Sequence, residues 1–136
     1  MNTIVRAVMV LCFVSCVAVS AFGQAVERKP LDATLDKALA GYNAGDSKAF
    51  FADFAKAMSA IATQSTFDAM YKGMYFQTFG KYVSRTPIKE ETVLEGDFPL
   101  LVYQAEFEKN KKVKISVNFT KEDGAFKLMQ IQFAGM

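Results

Sequence analysis

The stretch from Leu100 to Phe133 constrains the fold most, because its apolar residues recur at every second position. Its middle part alternates apolar residues with polar ones: Val113, Ile115, Val117 and Phe119 lie between Lys112, Lys114, Ser116, Asn118 and Thr120. Alternation with period two is typical of an antiparallel strand that has one face on a core and the other in water. We therefore expect a sheet whose apolar face is covered by the residues that precede it.

Three more strands are predicted around this one. They are a weak first strand at Thr92–Glu95, a second through Leu101, Tyr103, Ala105 and Phe107, and a last one through Met129, Ile131 and Phe133. Turns at residues 96–99, 109–112 and 122–124 separate them. This register places Val102, Phe126 and Leu128 on the outer face of the sheet. Residues 81–87 are expected only to lead from the last helix to the sheet.

Before the sheet the apolar period is about 3.6, which predicts three helices. Pro30 suits the first turn of the first helix, whose apolar stripe is Leu31, Leu35, Ala38, Leu39 and Tyr42. Gly45 is expected to end it, and Asp46 or Ser47 to cap the second helix. The second helix carries the stripe Phe51, Phe54, Ala55, Met58 and Ile61.

The third helix is expected to begin at the capping box Ser65–Asp68 and to end at Gly80. Three helices followed by four sequential strands predict an α+β domain, with the helices packed on one face of a curved four-stranded antiparallel sheet. This domain is expected to span residues 31–134, after a short polar lead-in at residues 24–30.

Residues 1–23 have the pattern of a cleaved secretory signal peptide. Arg6 precedes an apolar run from Ala7 to Val19, and small residues follow, so cleavage is expected after Gly23, with Ala25 as the alternative. A retained membrane anchor is the competing interpretation, but the run is short for a spanning helix, which needs about 20 apolar residues. We therefore expect an exported protein, periplasmic or extracellular, that meets the membrane only before cleavage.

The two cysteines, Cys12 and Cys16, both fall within this segment. Ser15 before Cys16 would suit a lipoprotein signal, but the apolar run continues to Phe22, so lipidation is the lesser alternative. After cleavage at Gly23 no thiol remains, and neither a disulfide nor a thiolate–metal site is expected in the mature chain.

The chain contains no histidine. Its absence removes the usual general base at neutral pH, the Ser–His and Cys–His nucleophile pairs and nearly all zinc sites. We therefore expect no catalytic residue, no metal site and no cofactor. All 14 acidic and 15 of the 16 basic residues follow Gly23. The resulting net charge of about +1 does not predict nucleic-acid binding, and the one basic cluster, Lys109–Lys114, falls at a predicted turn.

Carboxylates are the remaining candidates for acid–base chemistry. Glu106 and Glu108 share a strand face about 7 Å apart, which would allow a paired mechanism. Pairing with Lys112 and Lys114 across the hairpin also accounts for both. We favour this second explanation.

A group of aromatic residues predicts either a ligand pocket or a packed core. Tyr71, Tyr75, Phe79 and Tyr103 could line a space between the third helix and the sheet, with tyrosine hydroxyls orienting a small apolar ligand. Core packing explains the same residues without a ligand.

Several segments resemble a known superfamily. Residues 40–46, Ala-Gly-Tyr-Asn-Ala-Gly-Asp, are similar to the opening of nuclear-transport-factor-two-like domains, which have a cystatin-like α+β fold. Segments 70–84, 103–108 and 127–133 resemble small exported bacterial domains of unknown function in that superfamily, of the type also found ahead of α/β-hydrolase domains. The resemblance covers about Leu31 to Phe133 and implies a cone-shaped fold that often dimerises through the outer sheet face. Enzymes of the superfamily usually place a His, Asp or Arg in the cone, and no functional residue carries over to this chain by motif.

The leading hypothesis is an exported, non-catalytic domain that binds a small apolar ligand or a protein partner. The alternative is a homodimerisation or interaction module with a filled core, which would use Val102, Phe126 and Leu128 as contacts. An enzyme based on tyrosine and carboxylate groups inside the cone is the third hypothesis.

Overall fold

The computed structural model describes residues 26–136. The predicted signal peptide, its alternative as a membrane anchor, both cleavage positions and both cysteines lie outside the described residues. Within residues 26–136, no helix combines the length and the apolar character that a membrane span requires.

The described chain contains three helices followed by four strands. The helices are α1 (Arg28–Ala44), α2 (Ser47–Phe51) and α3, which is α-helical over Gln64–Thr66, π-helical over Phe67–Tyr75 and α-helical again over Phe76–Phe79. Short 3₁₀ turns occur at Lys56–Met58 and Lys89–Glu91. The strands β1 (Tyr82–Pro87), β2 (Leu100–Phe107), β3 (Asn110–Glu122) and β4 (Ala125–Gly135) form one antiparallel sheet in chain order. The predicted α+β class with a four-stranded antiparallel sheet is confirmed.

The junction between α1 and α2 follows its predicted turn chemistry. Gly45 ends α1 in the left-handed region, at φ 67° and ψ 26°, a conformation that glycine adopts without steric cost. The Asp46 carboxylate then accepts a hydrogen bond from the Ala49 N–H at 3.2 Å and caps α2. Gly41 is required for a different reason, since a Cβ there would lie 2.5 Å from the Phe50 backbone nitrogen.

Two predicted helix starts were wrong by a few residues. α1 begins at Arg28, inside the expected lead-in, and includes Pro30 in its first turn, where a missing N–H costs no helical hydrogen bond. α3 is capped by Thr63, whose hydroxyl accepts from the Thr66 N–H at 3.2 Å. Ser65, the expected cap, is instead the second residue of the helix.

The second helix is much shorter than predicted, because the chain after Phe51 pairs with the sheet. The Leu128 N–H donates to the Asp53 carbonyl at 2.9 Å, and the Ala55 N–H donates to the Leu128 carbonyl at 2.8 Å. These bonds satisfy backbone groups that a continuing helix would have satisfied internally. Ile61, predicted on a buried helical stripe, is instead exposed.

The first strand was predicted in the wrong place. Tyr82–Pro87 pairs with β2, whereas Val93 forms only an isolated bridge to Leu100. β1 lies at the edge of the sheet, and a proline at its end removes no ladder bond there. Asn43 covers the other end of this edge, accepting from the Tyr82 N–H at 2.8 Å and donating to the Tyr82 carbonyl at 2.9 Å.

A β-bulge in β4 corrects the predicted face of Leu128. Asn118 lies opposite Gln130, but Phe119 lies opposite Leu128, so that Met129 has no partner. The extra residue reverses the inward–outward alternation on its far side. Leu128 is therefore fully buried in the core and Met129 is half-buried, the opposite of the period-two prediction.

The π-helical part of α3 keeps one aromatic row on the core. The row is Phe67, Tyr71, Tyr75 and Phe79, spaced four residues apart, with neighbouring ring centroids 5.5–6.3 Å apart. In an α-helix residues four apart are offset by about 40°, so such a row would drift by about 120° and reach solvent. A π-helix turns more slowly per residue, and its insertion cancels that drift.

Candidate functional site

The four predicted ligand-binding aromatics lie in the interior. Tyr71, Phe79 and Tyr103 are buried and Tyr75 is half-buried. The aromatic row of α3 includes Tyr71, Tyr75 and Phe79, whereas Tyr103 lies on β2 beside charged residues. The Tyr71 hydroxyl donates to the Ile131 carbonyl at 2.8 Å, and the Tyr103 hydroxyl donates to Asp32 Oδ1. Both hydroxyls are thus engaged within the chain.

Burial also keeps these phenols protonated. The pKa of Tyr103 is raised to about 12, first by burial and then by the hydrogen bond to Asp32 and its negative charge, against the opposing charges of Arg28 and Arg85. Burial likewise raises the pKa of Tyr71 above its ordinary value, with a smaller contribution from Tyr75. A tyrosinate nucleophile or base is therefore not available here near neutral pH.

A cluster of charged and aromatic residues joins α1 to β1, and sequence reasoning did not find it. Arg85 Nη1 lies 2.7 Å from Asp36 Oδ1 and donates to the Tyr82 hydroxyl at 3.0 Å, and its Nη2 lies 3.7 Å from Asp32 Oδ1. The Arg85 guanidinium carbon also lies 4.9 Å from the centre of the Tyr103 ring. The available signal was the spacing of Asp32 and Asp36, four residues apart on one helix face.

Arg85 stabilises the fold through its contacts between β1 and α1. Burial by itself lowers the pKa of Arg85, but its hydrogen bonds to Asp36 and Tyr82, together with the negative charge of Asp36, raise it overall. The side chain is 12% exposed, so the charge is held in place by these partners. The cluster therefore stabilises the packing of the edge strand β1 against α1.

Replacing Arg85 should weaken the fold measurably. We expect Arg85→Met to lower the free energy of unfolding by about 2 kcal/mol, less than for a fully buried pair because Asp36 stays solvated. Lys37→Met is the matched control, since Lys37 is 68% exposed and pairs with Asp53 at 3.1 Å. It should change the unfolding free energy by less than about 0.5 kcal/mol in urea denaturation. Equal effects of the two substitutions would contradict the assigned role of Arg85.

The candidate carboxylates do not form a paired site. Glu106 is exposed on β2, whereas Glu108 follows the end of that strand and accepts from the Lys81 N–H at 2.7 Å. Lys114, expected to pair with these glutamates, instead lies 2.6 Å from Glu91. In the part of the chain that the structure describes, no group of three or more acidic residues could hold a metal ion.

The three predicted interface residues do not share one outer surface. Leu128 belongs to the core, as described above, and Val102 is 3% exposed. Phe126 is half-buried, with Lys121 Nζ 5.8 Å from its ring centre, and lines an open groove of about 910 Å³ beside the start of α1. Only Phe126 of the three is placed where another molecule could reach it.

A second groove contains Phe98, which is the most exposed large apolar side chain of the described residues. We call it the Phe98 groove; it has a volume of about 440 Å³ and is lined by Met58, Ile61, Phe98, Asn118, Phe119, Met129 and Gln130. Phe98 is 67% exposed and Ile61 is 46% exposed.

Both walls of the Phe98 groove are held by backbone hydrogen bonds to the sheet. The Phe119 N–H donates to the Pro99 carbonyl at 3.0 Å, which fixes the Phe98 wall beside β3. On the other side, the pairing of Ala55 with Leu128 fixes the start of the segment that carries Met58 and Ile61. Sequence reasoning missed this groove because it placed Met58 and Ile61 on a buried helix. An aromatic residue in the polar turn at 96–99 was the available signal.

Comparison of the chain with protein-family models, with curated proteins and with solved structures finds no match. The resemblance to nuclear-transport-factor-two-like domains therefore stays a prediction.

Proposed function

We propose that this chain is an exported, non-catalytic binding domain and that the Phe98 groove holds a small apolar ligand. The observation that carries the proposal is the pair of exposed side chains Phe98 and Ile61 on opposite walls of a groove of about 440 Å³. Apolar side chains left in water in this way are typical of a binding surface. The volume is within the range of small-molecule sites, about 300–1,000 Å³.

The groove replaces the interior aromatics as the proposed ligand site. A ligand between α3 and the sheet would have to displace rings in contact, such as Tyr75 and Phe133 with centroids 5.0 Å apart. It would also break the hydrogen bond from Tyr71 to Ile131. Binding at the Phe98 groove requires neither change.

Export and the finer fold are part of the same proposal. The amino-terminal pattern of residues 1–23 supports passage to the periplasm or the exterior, and the absence of histidine from the sequence supports a non-catalytic role. We also propose that the sheet curves around the helices as the superfamily resemblance implies. The bulges in β1 and β4 support this, since bulges bend the strands that contain them.

Self-association through the outer surface is the alternative function, and one observation favours it. The interior is filled, with Tyr42 directing its hydroxyl to the Gly80 carbonyl at 2.7 Å and packing its ring 5.2 Å from that of Phe133. A domain with a filled interior can act only through its surface. In that case Phe98 and Phe126 would be contacts between two copies.

The groove is tested by titration with 1-octanol, followed through the methyl resonances of Met58 and Met129. We expect saturable shifts at both methionines. Phe98→Ser should bind octanol at least about tenfold more weakly, because covering a phenylalanine side chain with ligand contributes about 1.5–3 kcal/mol to binding. Val83→Ser is the control, since Val83 is 59% exposed on β1 and does not line the groove.

Two outcomes would contradict the proposed function. Shifts confined to the interior rings would return the ligand site to the core. A concentration-dependent dimer that Phe98→Ser converts to monomer in sedimentation, with no octanol binding, would favour the self-association module.

A further inference from the structure

An uncharged polar surface continues from the Phe98 groove across the outer face of the sheet. We call it the amide patch, and it consists of Ser116, Asn118, Gln130 and Gln132. Ser116 lies opposite Gln132 and Asn118 lies opposite Gln130 in the pairing of β3 with β4. The residues that alternate with them, including Val117 and Ile131, are fully buried in the core, so the patch faces outward. Asn118 and Gln130 belong to both the patch and the groove.

The polar groups of the amide patch are free to bind another molecule. Gln130 and Gln132 are exposed, whereas Ser116 and Asn118 are half-buried. Among residues 26–136 none of these four side chains has a hydrogen-bond partner. Each amide offers two donors and one acceptor oxygen, and the hydroxyl offers one donor and acceptor sites. Cross-strand neighbours are about 5 Å apart and neighbours along a strand about 7 Å apart.

The patch selects against charged ligands. Lys114 borders it at one end and lies 2.6 Å from Glu91, so its charge is already paired. Lys127, opposite Thr120, borders it at the other end. Between these two positions the outward side chains of β3 and β4 carry no charge, and a charged ligand group bound there would lose water without gaining a counterion.

The patch also differs from a peptide-binding strand edge. β3 is paired on both sides, with β2 and with β4, so its backbone offers nothing to an added strand. β4 is an edge strand, but the N–H and carbonyl of Leu128 are bonded to residues 53–55, and the Ile131 carbonyl accepts from Tyr71. Recognition on this face must come from side-chain amides and a hydroxyl. Such groups match a ligand with several hydroxyls, each of which both donates and accepts hydrogen bonds.

We propose that the Phe98 groove and the amide patch form one amphipathic site for an uncharged, glycosyl-bearing lipid-like ligand. Its apolar chain would lie between Phe98 and Ile61, and its sugar hydroxyls would bond to Asn118, Gln130 and Gln132. This inference rests on the proposed function, to which it adds the chemical class of the ligand's polar part.

The experiment compares three probes that share one eight-carbon chain: n-octyl β-D-glucoside and octanoate, each below its micelle concentration, and 1-octanol below its solubility limit. We expect the folded chain to bind the glucoside about tenfold more tightly than either other probe, as two or more added hydrogen bonds would produce. The side-chain amide resonances of Gln132, which does not line the groove, should shift with the glucoside and stay unchanged with octanol.

Variants assign the gain to the amide patch. The double substitution Ser116→Ala and Gln132→Leu changes patch residues that do not line the Phe98 groove. It should reduce glucoside binding toward the octanol level and leave octanol binding intact. Gln104→Leu is the control, because Gln104 is exposed on the same sheet face, opposite Lys114 and outside the patch. It should change neither affinity.

The outcomes separate this inference from the proposed function. Equal binding of all three probes to the wild-type chain overturns the inference and leaves the apolar groove standing. Tightest binding of octanoate also overturns it, in favour of a charged ligand. If no probe shifts the groove methionines, the proposed function itself fails. The wild-type comparison decides these cases even if the double variant does not fold.

Discussion

Above pH 10 the folded domain is expected to lose stability at up to about 4 kcal/mol per pH unit. Three of the five tyrosines, Tyr42, Tyr71 and Tyr103, are almost fully buried, and their pKa values are raised. For all three the principal cause is burial, which disfavours the charged phenolate. For Tyr42 the negative charge of Glu108 raises the pKa further.

The sign of the effect follows from proton linkage. In the unfolded chain these phenols ionise at their ordinary pKa of about 10, whereas in the folded chain they stay protonated to about pH 12 or beyond. Their contribution to stability is therefore complete below pH 10 and is lost as the pH rises from 10 to 12. Each phenol contributes a slope of about 1.4 kcal/mol per pH unit, and three together about 4 kcal/mol per unit. Between pH 10 and pH 12 this slope removes about 8 kcal/mol, which is enough to unfold a domain in the lower half of the ordinary stability range of about 5–15 kcal/mol.

Urea denaturation at a series of pH values from neutral to strongly alkaline measures this slope. Tyr71→Phe removes one ionisation, so the slope above pH 10 should fall by about a third, although the variant starts from a lower stability without the bond to Ile131. A rapid pH jump gives an independent measurement, since the ultraviolet absorbance of these tyrosinates should appear at the rate of unfolding. Ionisation of all five tyrosines in a chain that keeps its folded dichroism would contradict the burial of these three.

The strands that were predicted correctly are those whose two faces have different environments. β3 buries Val113, Ile115 and Val117 and directs polar residues outward, so its alternation could be interpreted from sequence alone. β1 shows no such contrast, because most of its residues are exposed, and its place in the sheet depends on Asn43 and on pairing with β2. These partners are distant in the chain and invisible to a local pattern.

Two of the wrong predictions, the length of the second helix and the face of Leu128, have one physical cause, which is tertiary hydrogen bonding that overrides a local period. The second helix ends early because residues 53–55 bond to Leu128, and the bulge at Met129 moves Leu128 to the core. Each change is small in the chain but reverses which side chains face water. For this reason Leu128 is buried and is not an interface residue. For the same reason the exposure of Ile61 in the Phe98 groove was not predicted.

The candidate site was harder to predict than the fold, because its residues come from four separate segments. Phe98 lies in a turn, Ile61 in a segment predicted as helix, Asn118 on β3 and Gln130 on β4. Only the outward directions of Asn118 and Gln130 followed from the sequence. The interior aromatics were the more prominent signal, and Tyr71 and Tyr103 are used within the chain instead.

Phe50→Ala is expected to lower the free energy of unfolding by about 3–5 kcal/mol, the usual cost of removing a large side chain from a packed core. Phe50 is fully buried. Its ring centroid lies 4.3 Å from that of Tyr71, 4.9 Å from Phe51, 5.4 Å from Phe67 and 5.6 Å from Phe54. The backbone around it cannot close the cavity easily, since Gly41 of α1 already lies against the Phe50 nitrogen.

Phe98→Ala is the matched control, because it removes the same atoms from a side chain that is 67% exposed. It should change the unfolding free energy by less than about 0.5 kcal/mol in urea denaturation. The two variants should also differ in the octanol titration. Phe98→Ala should bind octanol more weakly while keeping its stability, and Phe50→Ala should keep its affinity under conditions in which it is folded. If both variants lost the same stability, Phe98 would belong to the core. If both lost the same affinity, the ligand would bind in the core. A loss of stability without a loss of affinity identifies Phe50 as a core residue, and a loss of affinity without a loss of stability identifies Phe98 as a ligand-binding residue.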